Sequence, residues 1–178
     1  CHNILKGVDD IENLLSCALN LSRTHVYQFA KEPIAVAPII RALCRDAKLL
    51  YDCPHCEFRF GHLTPICGEK GILYQVFLNV IGNAVKYSSS TSFPLVAIGS
   101  AQDHESVRYY IEDNGIGIPD DQLPRIFDIF VRATNASHHD GTGIGLDLVK
   151  RIMERLGGSI SIESKVGVGT KVTLLFPG

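Results

Sequence analysis

The chain has 178 residues, 46% of them apolar, with a formal net charge of −2 and a pI near 6.4. That is enough chain to bury one core and carry an appendage, and the balanced charge gives no electrostatic footprint for nucleic acid or an anionic membrane surface. No apolar run reaches the ~20 residues of a membrane span and no secretory leader opens the chain, while a start at Cys1 rather than Met reads as a piece of something larger.

Taken in order, Ile4, Val8, Ile11, Leu15 and Ala18 recur at four- and three-residue spacing, as along one side of a helical hairpin. This predicts an N-terminal helical extension, residues 1–25, waiting for a partner helix. The boundary is placed at Val26, so that 26–178 forms the main domain. Pro33 and Pro38 break the pattern over 29–36 into a strand-like link. A helix follows over 37–50, a strand over 57–63 and a longer helix over 69–87. Two strands, "LVAIGS" and "VRYYIE", come next, the second alternating Val107, Tyr109 and Ile111 on one face. Residues 122–130 suggest a short helix and 132–141 a polar loop. A helix over 144–156 stops at Gly157-Gly158, and "SISIES" and "TKVTLLF" close the chain as strands. Helices and strands interleave without strict βαβ alternation, which favours an α+β fold with helices on one face of a mixed sheet.

Six cysteines spread over a domain this size read as reduced thiols. Cys53-Pro54-His55-Cys56 has the spacing of half a zinc knuckle, but no second C-x-x-C supplies the other ligands, so the pair reads as structural or incidental.

Three stretches carry chemistry. In "LYQVFLNVIGNAVKYSSS", Leu73, Val76, Phe77, Val80, Ile81 and Ala84 make a buried stripe. Asn79, Asn83, Lys86 and Tyr87 line a neighbouring edge. An amide oxygen suits Mg²⁺ and an ammonium suits phosphate, although a solvated polar face explains the same residues. In "IEDNGIGIPDDQLPRIFDIF", Asp113 places a carboxylate at a strand end and Gly115 and Gly117 let backbone approach a flat ligand. A simple turn would also use "DNG". In "DGTGIGLDLVKRI", glycines lead into a helix and free backbone N–H groups for an anion. The pattern is neither G-x-G-x-x-G nor a P-loop.

Their order is more telling than any one of them. An Asn/Lys helix, D-x-G-x-G, a phenylalanine pair, G-x-G-x-G opening a helix, and "GVGT" before the last strand resemble the histidine-kinase catalytic and ATP-binding domain. That domain belongs to the superfamily shared with gyrase B, Hsp90 and MutL. The resemblance covers about Val26 to the C-terminus. It implies a two-layer α/β sandwich, a mixed five-stranded sheet covered by three helices, and ATP with Mg²⁺ as ligands. Asn83 matches the family's magnesium asparagine and Asn79 its partner one turn earlier. Lys86 and Tyr87 match the pair reaching the phosphates and the nucleotide. Asp113 matches the aspartate that reads the adenine amine, with Gly115 and Gly117 shaping the pocket. Phe127 and Phe130 match the phenylalanine box at the root of the ATP lid, and Arg132 a basic residue able to touch phosphate. Gly141, Thr142, Gly143 and Gly145 match the second glycine box with Leu146 behind it, and Thr170 the threonine of the final G-x-G-T.

Within the superfamily, the gyrase, Hsp90 and MutL relatives carry a glutamate base where this chain has Asn79. A carboxamide takes no proton at neutral pH, so efficient hydrolysis is not expected, whereas phosphoryl transfer by positioning remains open. The resemblance thus implies a protein-histidine kinase domain of a two-component system. Its catalytic residues would be Asn79, Lys86 and Arg132. Residues 1–25 look like the end of a dimerisation helix, so a homodimeric cytoplasmic or membrane-anchored parent and a response regulator are the implied partners. The phosphoacceptor motif is missing: His104-Glu105 and His139-Asp140 mimic only its dipeptide. The other reading is a degenerate ATP-binding regulatory module that transfers nothing.

Overall fold

A computed structural model of the chain describes residues 33–131, 133–136 and 143–178. The apolar stripe at residues 4–18 and the boundary at Val26 lie outside these.

The first described strand, β1 (Pro33–Ile34), is a two-residue piece of the link anticipated around Pro33, and it pairs antiparallel with β3 (Ile66–Cys67). Helix α1 (Ala37–Leu50) begins with Pro38 in its first turn, where a missing N–H costs nothing. It buries Ile39, Ile40, Leu43, Cys44 and Ala47. Strand β2 (Glu57–Phe60) stops short of Leu63, the anticipated end, although the Gly61 N–H still bonds the Ile98 carbonyl and the Ser100 N–H the His62 carbonyl, both at 2.8 Å. Helix α2 (Lys70–Ser88) is the central element and its anticipated stripe, Leu73 to Ala84, is buried throughout. Strands β4 (Leu95–Gln102) and β5 (Ser106–Asp113) form a hairpin. Helix α3 (Gly145–Arg155) is followed by β6 (Ser159–Lys165) and β7 (Gly169–Pro177).

The five-stranded sheet has the order β2-β4-β5-β7-β6, with β2 parallel to β4 and every other pair antiparallel. This is the anticipated mixed sheet. Period-two alternation puts Val96 and Ile98, Val107, Tyr109 and Ile111, and Val172, Leu174 and Phe176 on one face, all buried. The helices lie on that face, with α2 on β4 and β5 and α3 on β6 and β7. Phe77 of α2 meets Tyr109 and Phe176 of the sheet, with ring centroids 5.2 and 6.3 Å away. On the other face Arg108, Glu112, Ser159, Ser161 and Glu163 meet water. A two-layer sandwich results, with one apolar layer boundary.

Two local features differ from the expected pattern or complete it. The helix anticipated over 122–130 is only a 3-10 turn at Leu123–Arg125. Phe130 adopts φ +65°, which no helix interior accepts, and turns replace the helix from Ile126 onward. Helix α3 does end where the glycines require. Gly157 has φ +73°, its N–H bonds the Glu154 carbonyl at 3.1 Å, and the Gly158 N–H bonds that of Met153 at 2.8 Å.

Candidate functional site

β5 alternates faces, so its last residue, Asp113, points the same way as Val107, Tyr109 and Ile111 and ends up under the helices. It is 9% exposed. The Gly115 N–H donates to Asp113 Oδ1 at 2.8 Å. Burial pushes the carboxyl up to about 7; the N–H groups of Gly115 and Thr170 pull it partly back, and the nearby Glu112 charge raises it further. An additional donor at this strand end would shift the carboxyl further toward its charged form.

Past Asp113 the chain threads a narrow passage. A side-chain carbon at Gly115 would lie 2.5 Å from the Tyr87 carbonyl oxygen, and the Ile116 N–H bonds that same carbonyl at 3.2 Å. Gly117 has φ +68°, and a side-chain carbon there would lie 2.1 Å from the Lys165 carbonyl oxygen. The loop is therefore clamped between the end of α2 and the β6–β7 turn, and only glycine fits at these two points. Ser164 completes the seam, and sequence reading passed it over. Its hydroxyl accepts from the Ile118 N–H at 2.9 Å, donates to the Gly169 carbonyl at 2.9 Å and meets Thr170 Oγ1 at 2.8 Å. The signal was present in the strand: alternation through Ile160 and Ile162 puts Ser164 on the covered face, paired in register with Thr170.

On α2 the four polar positions differ. Asn79 Nδ2 donates to the Gln75 carbonyl at 2.8 Å, and its Oδ1 would be 2.6 Å from a side-chain carbon at Gly145, the first residue of α3. Gly145 thus lets α3 begin against Asn79. Asn83, half-buried, makes no side-chain hydrogen bond among the described residues. Lys86 is 8% exposed; its ammonium lies 3.4 Å from the Tyr87 hydroxyl and 4.7 Å from that ring's centre.

A small apolar cluster flanks the passage: Ile126, Ala133 and Ala136, joined by Tyr87, Ile116, Ile118, Phe127, Leu146 and Ile162. Phe127 joins it, with the Lys150 ammonium 5.7 Å from its ring centre. Phe130 does not, being 73% exposed. It contributes backbone instead: its N–H bonds the Gly143 carbonyl at 3.1 Å, and Gly143, at φ +73°, fits against Phe130 and Val131 without a side chain. Arg132, Gly141 and Thr142 lie outside the described residues, as does His139. His104 sits exposed in the β4–β5 turn.

Cys53 and Cys56 form a turn closed by a Cys56 N–H to Cys53 carbonyl bond of 3.1 Å, and both are buried. Burial, then the neighbouring thiols, push Cys56 up to about 11 and Cys44 to about 12. Among the described residues no group of three or more His, Cys, Asp or Glu side chains is placed to hold a metal. No helix among them is long and apolar enough to cross a membrane.

The sheet order, the three covering helices and a buried aspartate beside a glycine passage define an ATPase domain of the histidine-kinase type. A family model described as histidine kinase-, DNA gyrase B- and HSP90-like ATPase matches residues 68–178, and the chain belongs to that family. Its relatives include the sensor histidine kinase AruS of Pseudomonas aeruginosa, 37% identical over 107 residues, or 58% of this chain and 11% of AruS. A sensor-like histidine kinase of Rhizobium meliloti is 30% identical over 174 residues, covering 93% of this chain and 32% of that protein. The chain therefore spans a third or less of these relatives. Among solved structures, the mycobacterial sensor histidine kinase MprB superimposes with a TM-score of 0.72 at 27% identity, covering 83% of this chain and 98% of that one.

Proposed function

We propose that this domain binds ATP with Mg²⁺ and transfers the γ-phosphoryl group to a histidine on a separate dimerisation domain, in a two-component sensor kinase. One observation carries the reading. A buried carboxylate with its pKa raised to about 7 stands at the head of a loop that Gly115 and Gly117 clamp against the Tyr87 and Lys165 carbonyls.

In this reading Asp113 accepts the exocyclic amine of adenine, and a donor there favours its charged form. Gly115 and Gly117 let the loop after Asp113 seat against the Tyr87 and Lys165 carbonyls and so fix one wall of the base pocket. Thr170 and Ser164 hold the β6–β7 turn against the loop. Tyr87 and Phe127 flank the nucleoside with apolar surface. Lys86, held over the Tyr87 ring, meets phosphate charge. Asn83 offers an amide oxygen with no side-chain hydrogen bond among the described residues, which suits a hard cation. Mg²⁺, when bound, would neutralise charge on the phosphate chain. Arg132 and the glycines 141, 143 and 145, with Thr142, would serve the phosphates, and the loop they border would act as the lid. Asn79, already donating to Gln75, takes no proton from water, so transfer rather than hydrolysis is the supported reaction.

The parent would be a homodimer acting on a response regulator in the cytoplasm, with residues 1–25 ending its dimerisation helix. Calorimetry with ATP and Mg²⁺ should give saturable binding that Asp113→Ala abolishes. Labelled ATP should phosphorylate a supplied dimerisation domain. Undiminished binding by Asp113→Ala sinks the site assignment, and binding without transfer points to a regulatory module.

A further inference from the structure

At the site end of the covered face, cross-strand register lines up Asp113 of β5, Thr170 of β7 and Ser164 of β6 in one row. The rows behind it are Ile111, Val172 and Ile162, then Tyr109, Leu174 and Ile160. Thr170 is part-exposed where Val172, Leu174 and Phe176 on its own strand are buried, so the covering helices stop short of it. The layer turns polar where it opens.

The protons of this row can be counted. A serine hydroxyl has one proton to give and two lone pairs. Ser164 gives its proton to the Gly169 carbonyl at 2.9 Å and uses one lone pair on the Ile118 N–H at 2.9 Å. Its remaining contact, 2.8 Å to Thr170 Oγ1, is a hydrogen bond only if Thr170 donates. The opposite arrangement, with Ser164 donating to Thr170, forfeits the Gly169 bond and gains no other among the described residues. Thr170 thus turns its proton toward Ser164 and keeps only lone pairs for the open side. Asp113 beside it is an acceptor too, already holding the Gly115 and Thr170 N–H groups.

We propose that Ser164 is a positioning residue: by taking the Thr170 proton it makes Thr170 a second acceptor beside Asp113, so that the pair takes both hydrogens of one amino group and rejects a carbonyl in its place. The assignment rests on the ATP reading of the site and adds to it a residue that acts on the base only through Thr170. An adenine amine satisfies both acceptors. A 6-oxo purine sets a third acceptor against them, which leaves lone pairs opposed and no bond made.

Calorimetry with ATP and with inosine triphosphate, its 6-oxo counterpart, each with Mg²⁺, tests the assignment. The wild type should prefer ATP. In Ser164→Ala the Thr170 hydroxyl is free to turn and donate, so the preference should fall about 3- to 10-fold, the worth of one hydrogen bond. Ser164→Thr keeps the hydroxyl and should keep the preference. Thr170→Val should lower it by a similar factor, and adding Ser164→Ala to Thr170→Val should lower it no further. Asn135→Ala is the structural control. Asn135 Nδ2 donates to the Gly117 carbonyl at 2.8 Å, so its loss loosens the same loop without touching the row and should weaken both ligands alike. Equal weakening of the two ligands by Ser164→Ala overturns the assignment, as does a fall that persists in the Thr170→Val background or a wild type without preference. Where Ser164→Ala fails to fold, Ser164→Cys, a weaker acceptor of similar shape, must show the fall in its place. A wild type that binds neither nucleotide overturns the ATP reading and this inference together. Binding lost in Asp113→Ala with the preference unmoved in Ser164→Ala overturns this inference alone.

Discussion

Asn in place of Asp113 should stabilise the nucleotide-free domain at alkaline pH while weakening the site. The carboxyl sits near 7 in the fold against an ordinary 3.8. At about 1.4 kcal/mol for each tenfold change, ionising it inside the fold costs about 4 kcal/mol more than in the unfolded chain. Between pH 4 and 7 the folded state holds a proton that the unfolded state has lost. Stability therefore falls as pH rises through that window and levels off above 7. Asn carries no such penalty. It keeps an acceptor for the Gly115 N–H but cannot also accept from Thr170, a loss of about 1 kcal/mol. The two proteins should be nearly equally stable at pH 5, and the variant about 3 kcal/mol more stable at pH 8. Urea unfolding followed by far-ultraviolet dichroism at the two pH values reads the difference directly, and titrating histidines cancel because both proteins share them. A gap between variant and wild type that does not change with pH would falsify the burial argument, and with it the claim that Asp113 is held near neutrality for a ligand.

Four further outcomes follow from the same geometry. ATP binding near pH 6.5 should release more protons from the wild type than from Asp113→Asn, measured as a larger dependence of binding enthalpy on buffer ionisation heat, because an amine donor favours the carboxylate. Gly117→Ala should cost at least about 2 kcal/mol in urea unfolding, since the new carbon would meet the Lys165 carbonyl at 2.1 Å with φ +68°. A change under about 0.5 kcal/mol would mean the loop is not clamped. Phe127→Ala should lose about 2 kcal/mol and Phe130→Ala under about 0.5, because one ring joins the apolar cluster and the other is 73% exposed. Asn83→Ala should leave urea stability within about 0.5 kcal/mol, since it breaks no side-chain hydrogen bond among the described residues, yet remove the Mg²⁺ dependence of ATP binding.

The elements were legible where one rule decided them. Alternation alone put Val107, Tyr109 and Ile111 on one face, and it also carries Asp113 inside, so the strand pattern and the burial of that carboxylate are one fact. Gly157-Gly158 ended α3 because a left-handed residue has few other occupants. The failures share a cause. Phe127 and Phe130, three apart, suggested a helix, yet Ile126 and Phe127 join a cluster with Ile116 and Ile118 of the loop that follows β5. That loop lies there because Gly117 admits the Lys165 carbonyl, a contact across 48 residues that no local pattern encodes.

The same holds for Ser164 and Asn135. Neither belongs to a spaced motif, and each acts through a partner set by tertiary register: Thr170 across β6 and β7, and the Gly117 carbonyl across the loop. Motif residues meet a ligand that is always the same shape, so their spacing recurs and can be read in the chain. Residues that fasten the walls of the site answer to this fold's own packing. Specificity peculiar to this chain is therefore to be sought among the fasteners, whose hydrogen bonds are visible in the structure and silent in the sequence.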